Sequence, residues 1–76
     1  MTDKRLLHGK IIENGFTLGK VAQALGVSGT TFSSKINNKY PFNTDQVIKI
    51  CELLGIKEDS EKVRIFFAPA GSILNQ

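Results

Sequence analysis

The 76-residue chain has few of the residues that a disulfide framework, a metal site or a catalytic site requires. It contains a single cysteine, Cys51, and a single histidine, His8. One thiol cannot form an internal disulfide, and one thiol with one imidazole does not supply the ligands of a zinc site. No second ionisable group is placed to act with His8 as nucleophile and base. We therefore expect no metal, no cofactor and no enzymatic activity, and His8 is interpreted as a helix surface residue.

Long hydrophobic runs are also absent. No apolar run approaches the roughly 20 residues that a membrane helix needs, and the first ten residues, MTDKRLLHGK, lack the apolar core of a signal peptide. Apolar residues make up 41% of the chain and charged residues 22%, which is typical of a soluble globular domain and too apolar for a disordered tail. We therefore expect a cytoplasmic protein with one small domain.

Acidic residues are scarce in the first half of the chain. Residues 1–40 contain six Lys or Arg against two Asp or Glu, whereas residues 41–76 contain four against five. This asymmetry suits a polyanionic partner such as nucleic acid. However, many small soluble domains carry the same net charge of +3 for solubility alone. Charge by itself does not decide between the two interpretations.

Helical periodicity recurs five times along the chain, and each time a capping residue or a glycine interrupts it. The predicted helices cover residues 3–13, 17–25, 28–37, 43–54 and 58–67. We therefore expect an all-α fold, a compact bundle of five short helices. Residues 1–67 form the predicted domain, and residues 68–76 form a C-terminal tail that packs back on the domain or meets a partner.

Three local signals refine this prediction. Asn43 and Gln46 have the spacing of a capping box at the start of the fourth helix. Cys51 lies on the apolar stripe of that helix, which indicates a small core residue and not a reactive thiol. Gly9, inside the first helix, costs about 1 kcal/mol relative to alanine, and we interpret it as a position of close backbone approach.

The second and third helices are separated only by Gly26 and Val27. Thr17 and Ser28 are good N-caps for these two helices. A glycine that is free to adopt a positive φ allows a sharp change of direction in so short a connection, and Val27 is apolar enough to fill the corner.

The third helix has one face of unusual composition. At about 100° per residue, a single stripe contains only short uncharged polar side chains: Thr30, Ser33, Ser34 and Asn37. Such residues form helices less readily than the Glu and Lys that usually occupy exposed faces, so helix stability does not explain them. They allow a helix to lie deep in the DNA major groove, where Asn can pair with adenine and Thr can contact the thymine methyl group. The alternative is a solvated face of low helix propensity.

The stretch LGKVAQALGVSGTTFSSKI, residues 18–36, has Ala22 four positions before Gly26, then Val27 and Ser28, and the apolar Phe32. It resembles the lambda-repressor-like, Cro-like (XRE-type) helix-turn-helix domains of phage and bacterial regulators. The following KINNKYPFNTDQVIKICELLGI is similar to the small phage-type subgroup. The resemblance covers about residues 3–67. It implies a sequence-specific regulator of transcription that binds a double-stranded DNA operator, with the second helix across the backbone and the third helix in the major groove.

The resemblance also implies the site residues. Five positions would face base edges: Gly29, Thr30, Ser33, Ser34 and Asn37. Phosphate contacts are expected from helix N-termini and from the basic loop after the third helix; the candidates are Thr17, Leu18, Gly19, Lys35, Asn38, Lys39, Tyr40, Asn43 and Thr44. The chain departs from the family at Leu18, where glutamine is frequent, and at Lys35, where an apolar residue is common. We assign Lys35 to phosphate contact or surface packing, with Ile36 as the apolar anchor.

Oligomeric state and function each have an alternative. Readers of this kind usually bind paired half-sites as dimers, so we expect a homodimer at least on DNA. Four apolar residues near the C-terminus either form a self-complementary patch or close the core of a monomer: Phe66, Phe67, Ile73 and Leu74. The alternative function is a protein-interaction module, such as an antitoxin or antirepressor, that uses the fifth helix and the apolar tail.

Overall fold

A computed structural model describes residues 1–69, which fold into five α-helices and contain no strand. The helices are α1 (Lys4–Glu13), α2 (Leu18–Leu25), α3 (Gly29–Ile36), α4 (Thr44–Leu54) and α5 (Asp59–Phe66). The predicted all-α architecture of five short helices is confirmed for this part of the chain. Most of the predicted tail, with Ile73 and Leu74, lies outside the described residues.

Side-chain caps determine where the first four helices begin. The side-chain oxygens of Asp3, Thr17, Ser28 and Asn43 each accept a hydrogen bond from the backbone N–H three residues later. The capping box between Asn43 and Gln46 is confirmed in both directions. The fifth helix begins after Glu58 without such a bond, and the acidic residues in its first turn complement the helix dipole.

The five helices enclose one apolar core, to which each of them contributes. Its largest fully buried side chains are Leu7, Ile11, Val21, Phe32, Ile36, Ile50 and Ile65. Phe42, in the loop before α4, packs between Phe32 and Phe66 with ring centroids 5.7 and 6.0 Å away. Cys51 is 5% exposed, as expected for a core residue. Burial raises the pKa of its thiol.

The connection between α2 and α3 is as short as the sequence predicts. Gly26 ends α2 in the left-handed conformation, with a φ of 73°. The N–H of Val27 donates to the carbonyl of Ala22 at 3.0 Å, and the Val27 side chain packs against the core. Helix α2 packs mainly against α3, so the two helices form a unit that is compatible with a helix-turn-helix domain.

An extended segment, residues 1–3, lies along the end of α5. Met1 and Ala68 exchange two backbone hydrogen bonds, from Met1 N to Ala68 O at 3.1 Å and from Ala68 N to Met1 O at 2.8 Å. The Asp3 N–H donates to the carbonyl of Ile65 at 2.6 Å. Thr2 and Asp3 are therefore buried although they precede the first helix. We call residues 1–3 the N-terminal strap.

Two details differ from the sequence-based expectations or decide between them. A Cβ atom added at Gly9 would meet no atom within 4 Å, so the expected close backbone approach at this glycine is wrong. Phe66 is 5% exposed and belongs to the core, whereas Phe67 is 64% exposed.

Within residues 1–69 every helix is too short or too polar to cross a membrane.

Candidate nucleic-acid interface

The exposed side of α3 brings the five candidate base-reading residues together. They line one open surface depression of about 400 Å³ together with Lys39: Gly29, Thr30, Ser33, Ser34 and Asn37. Phe32 and Ile36, both buried, fix the orientation of the helix from its other side. The stripe predicted from helical periodicity is thus a continuous uncharged surface, with a single lysine at its edge.

The side chain of Asn37 is folded against its own helix. Its Nδ2 donates to the carbonyl oxygen of Ser33 at 2.8 Å and lies 3.3 Å from Ser33 Oγ. Because a carbonyl oxygen only accepts, the amide nitrogen must be the atom that faces the helix. Asn37 then presents its Oδ1, an acceptor, to a ligand. A bidentate contact to adenine needs both a donor and an acceptor. In this conformation Asn37 offers a base the acceptor but not the donor.

The start of α2 offers backbone groups more than side chains. Thr17 Oγ1 accepts from the N–H of Lys20 at 3.1 Å, and the Leu18 side chain packs against the core. The first N–H groups of a helix have no intrahelical partner, so a phosphate contact by Leu18 and Gly19 would use their amides. Lys20 is exposed one residue further on.

Asn38, which follows the C-cap of α3, uses its side chain within the protein. The Thr2 N–H donates to Asn38 Oδ1, and Asn38 Nδ2 donates to the Thr2 carbonyl, both at 2.8 Å. Its backbone has a φ of 65°, the only positive value for a residue other than glycine in residues 1–69. In this conformation both polar atoms of the Asn38 side chain are bonded to the N-terminal strap.

The loop after Asn38 is hydrogen-bonded to α3 through the carbonyl oxygen of Ser34. The N–H groups of Lys39 and Tyr40 point to the oxygen of Ser34, at 2.9 and 3.4 Å. The side chains of Lys39 and Tyr40 are exposed, as is that of Thr44 at the start of α4. These three side chains are therefore accessible to a phosphate backbone, whereas Asn43 uses its own as the N-cap of α4.

Two other lysines are engaged with neighbouring helices. Lys35 Nζ donates to Gln46 Oε1 at 2.9 Å, which joins α3 to α4. Lys10 Nζ lies 2.8 Å from a carboxylate oxygen of Glu61 and 3.2 Å from one of Glu13. These hydrogen bonds, first to Glu61 and then to Glu13, raise the pKa of Lys10. Lys10 thus connects α1 to α5.

A second surface is apolar and lies beside the loop that follows α3. It is a groove of about 620 Å³ that we call the apolar groove, and its exposed large side chains are Met1, Tyr40, Ile48 and Phe67. The sequence identified Tyr40 as a candidate phosphate contact and Phe67 as part of a candidate apolar patch. It did not identify Ile48, which lies beside the apolar stripe of α4. In the part of the chain that the structure describes, no three His, Cys, Asp or Glu side chains are grouped to hold a metal ion.

Sequence reasoning also missed the connection between Asn38 and the N-terminal strap. Asparagine is enriched among the residues that adopt a positive φ, so the pair Asn37 and Asn38 could have marked the end of α3. No sequence signal identifies Thr2 as the partner, because the two residues are 36 positions apart.

Comparison with known proteins identifies a family but not an activity. Residues 1–69 match the model of the family DUF739, described as a protein of unknown function. No curated protein and no solved structure matches the chain. The matched residues are the same ones that form the five helices and the N-terminal strap. Because the family model covers more than half of its length, the chain belongs to the DUF739 family.

Proposed function

We propose that the protein binds double-stranded DNA in a sequence-specific way and regulates transcription. In this proposal α2 lies across the DNA backbone and α3 enters the major groove, as in the lambda-repressor-like, Cro-like domains that the sequence resembles. The observation that supports it is the grouping of the five α3 residues around one depression with Lys39 at its edge. Short uncharged side chains let a helix approach base edges closely, and a cation at the rim can neutralise a phosphate.

The proposed contacts divide into two kinds. Thr30, Ser33 and Ser34 would read bases by hydrogen bonds and methyl contact, with Asn37 as an acceptor for an amino group of adenine or cytosine. Lys39, Tyr40 and the first amides of α2 would hold phosphates and set the register of α3 in the groove. Phosphate contacts alone give no sequence preference, so the two sets should respond differently to substitution.

We also propose that two copies bind together on DNA. Paired half-sites of such readers are roughly 34 Å apart, so two copies on one operator would lie side by side along the duplex. The apolar groove is lined in part by Tyr40 and Thr44, two of the candidate phosphate contacts, and it exposes Phe67. A second copy in this groove would therefore lie next to the same duplex.

A protein-interaction module is the second candidate function. The same groove favours it, because Met1, Ile48 and Phe67 are apolar and about half exposed or more. Exposed apolar surface of this kind often marks a protein contact site. An antitoxin or antirepressor would use this surface without any duplex affinity. A DNA reader, in contrast, should bind duplexes with a steep salt dependence.

The experiment that tests the proposal is a selection from a pool of random duplexes at two salt concentrations. The wild type is compared with the triple variant Thr30→Ala, Ser33→Ala, Ser34→Ala. Ser60→Ala, an exposed serine on α5, is the matched control. We expect a palindromic motif for the wild type and for Ser60→Ala, and loss of that motif in the triple variant. Salt-sensitive binding without a motif would indicate a nonspecific binder, and no binding would favour the protein-interaction module.

A further inference from the structure

The N-terminal strap lies between two parts of the molecule that are otherwise remote in sequence. On one side Met1 and Asp3 form backbone hydrogen bonds with Ala68 and Ile65, at the end of α5. On the other side both backbone polar groups of Thr2 bind the side chain of Asn38. Thr2 is only 5% exposed, so water competes little for these bonds.

Asn38 in turn determines where the next residues lie. Its left-handed backbone reverses the chain immediately after α3, and this reversal directs the N–H groups of Lys39 and Tyr40 back to the Ser34 carbonyl. Asparagine adopts a positive φ at the end of a helix more readily than most residues with a Cβ, but glycine is still the usual residue there, so contacts with the surroundings add support. The paired hydrogen bonds to Thr2 provide that support.

We propose that Asn38 is a positioning residue for DNA binding. It holds Lys39 and Tyr40 in the arrangement that contacts phosphates, and the N-terminal strap ties this loop to the end of α5. The inference rests on the proposed function, because it assigns these two residues to the DNA backbone. It also replaces the expected direct phosphate contact of Asn38 by an indirect role.

The strap therefore joins the apolar groove to the proposed DNA contacts. Met1 and Phe67 line the groove on the α5 side, and Asn38 and Tyr40 line it on the α3 side. Duplex affinity should consequently depend on a contact that does not itself touch DNA.

Asn38→Gly is the variant that tests this role. Glycine adopts a positive φ without strain, so the backbone reversal stays accessible, but the two hydrogen bonds to Thr2 that hold it closed are lost. Asn14→Gly is the control, because Asn14 also follows a helix and donates through Nδ2 to a carbonyl, that of Lys10. Circular dichroism and thermal unfolding would establish that both variants fold.

Two measurements decide the outcome. In the free protein, we expect hydrogen exchange of the Asp3, Lys39 and Tyr40 amides to become about tenfold faster in Asn38→Gly and not in Asn14→Gly, as the loss of one or two hydrogen bonds predicts. For duplex binding, we expect Asn38→Gly to weaken affinity by about tenfold alone, but to have little effect in a Lys39→Ala, Tyr40→Ala background. A purely structural role would reduce affinity equally in both backgrounds.

The possible failures are distinguishable. Duplex binding that is unchanged in Asn38→Gly, or equally reduced in both backgrounds, would overturn the positioning role and leave the proposed function intact. If the wild type binds no duplex, the proposed function fails and so does any role of Asn38 in DNA binding. In that case, if the hydrogen-exchange rates of the Asp3, Lys39 and Tyr40 amides are also unchanged in Asn38→Gly, the connection between the strap and the loop is excluded as well.

Discussion

The ammonium nitrogen of Lys35 lies 2.9 Å from Oε1 of Gln46, across the contact between α3 and α4. The same oxygen accepts the N–H of Asn43 at 3.0 Å as part of the capping box. Lys35 is therefore directed to the start of α4, whereas Lys39, four residues later, lies at the edge of the α3 depression. Two lysines at the same end of one helix thus have different surroundings, and we expect different roles.

Lys39→Ala should weaken binding to all duplexes similarly and lower the salt slope of the affinity by about one unit. Lys35→Ala should change the slope less, because the hydrogen bond to Gln46 holds the Lys35 ammonium at the start of α4, whereas Lys39 lines the α3 depression. Lys57→Ala, an exposed lysine before α5, is the control and should leave the slope unchanged. Titrations at several salt concentrations measure these slopes. Equal slopes for wild type and Lys39→Ala would remove Lys39 from the phosphate contacts.

Gly9→Ala should stabilise the protein by about 1 kcal/mol, the difference in helix propensity between glycine and alanine. The added methyl group meets no atom within 4 Å. Gly26→Ala is the contrasting variant and should destabilise the protein by about 1–2 kcal/mol, because the φ of 73° at Gly26 strains any residue with a Cβ. Urea unfolding measures both changes. Destabilisation by Gly9→Ala would mean that this glycine has a packing role after all.

Cys51 should react slowly with iodoacetamide in the native state at pH 8. Burial raises the pKa of its thiol, and it also restricts access of the reagent. We expect labelling at least about tenfold slower than for the same chain unfolded in urea. Native labelling at the unfolded rate would contradict a core position.

The same shift in pKa gives a direction for the pH dependence of stability. The folded state holds the thiol proton more tightly than the unfolded state. The contribution of Cys51 is therefore fully present below the unfolded pKa and is lost as the pH rises through the folded value. Cys51→Ala should reduce this alkaline decrease, as measured by thermal unfolding between neutral and alkaline pH.

Phe67→Ser should leave the free energy of unfolding within about 0.5 kcal/mol of wild type, as is usual at exposed positions, since Phe67 is 64% exposed. If the apolar groove receives a second copy, the same substitution should weaken the dimer in sedimentation experiments with and without DNA. Phe66→Ser is the contrasting variant and should unfold the core, because Phe66 is buried. Unchanged association of Phe67→Ser would exclude the groove as the dimer contact.

The sequence predicted those features of the fold that depend on near neighbours. Thr17, Ser28 and Asn43 begin their helices as expected, since a cap and its N–H partner are three residues apart. Gly26 and Gly55 end α2 and α4 in the left-handed conformation for the same reason. The stripe on α3 also follows from a local period.

The features that it did not predict depend on residues far apart in the chain. The hydrogen bonds of Thr2 to Asn38 and of Lys35 to Gln46 span 36 and 11 residues. A single sequence contains no signal for such pairs. The role expected for Asn38 at a phosphate therefore could not be separated from a structural one until its surroundings were known. The base-reading and phosphate roles of all these residues, Asn38 included, stay predictions.

The uncharged surface of α3 has a consequence for redesign. If α3 enters the major groove as proposed, exchanges among neutral side chains at Thr30, Ser33 and Ser34 leave the number of cations near the DNA unchanged, so the electrostatic part of the affinity should be constant across a library built there. Binding strength would then be adjusted separately, at Lys39. In such a scaffold, selectivity and strength could be engineered as two independent parameters.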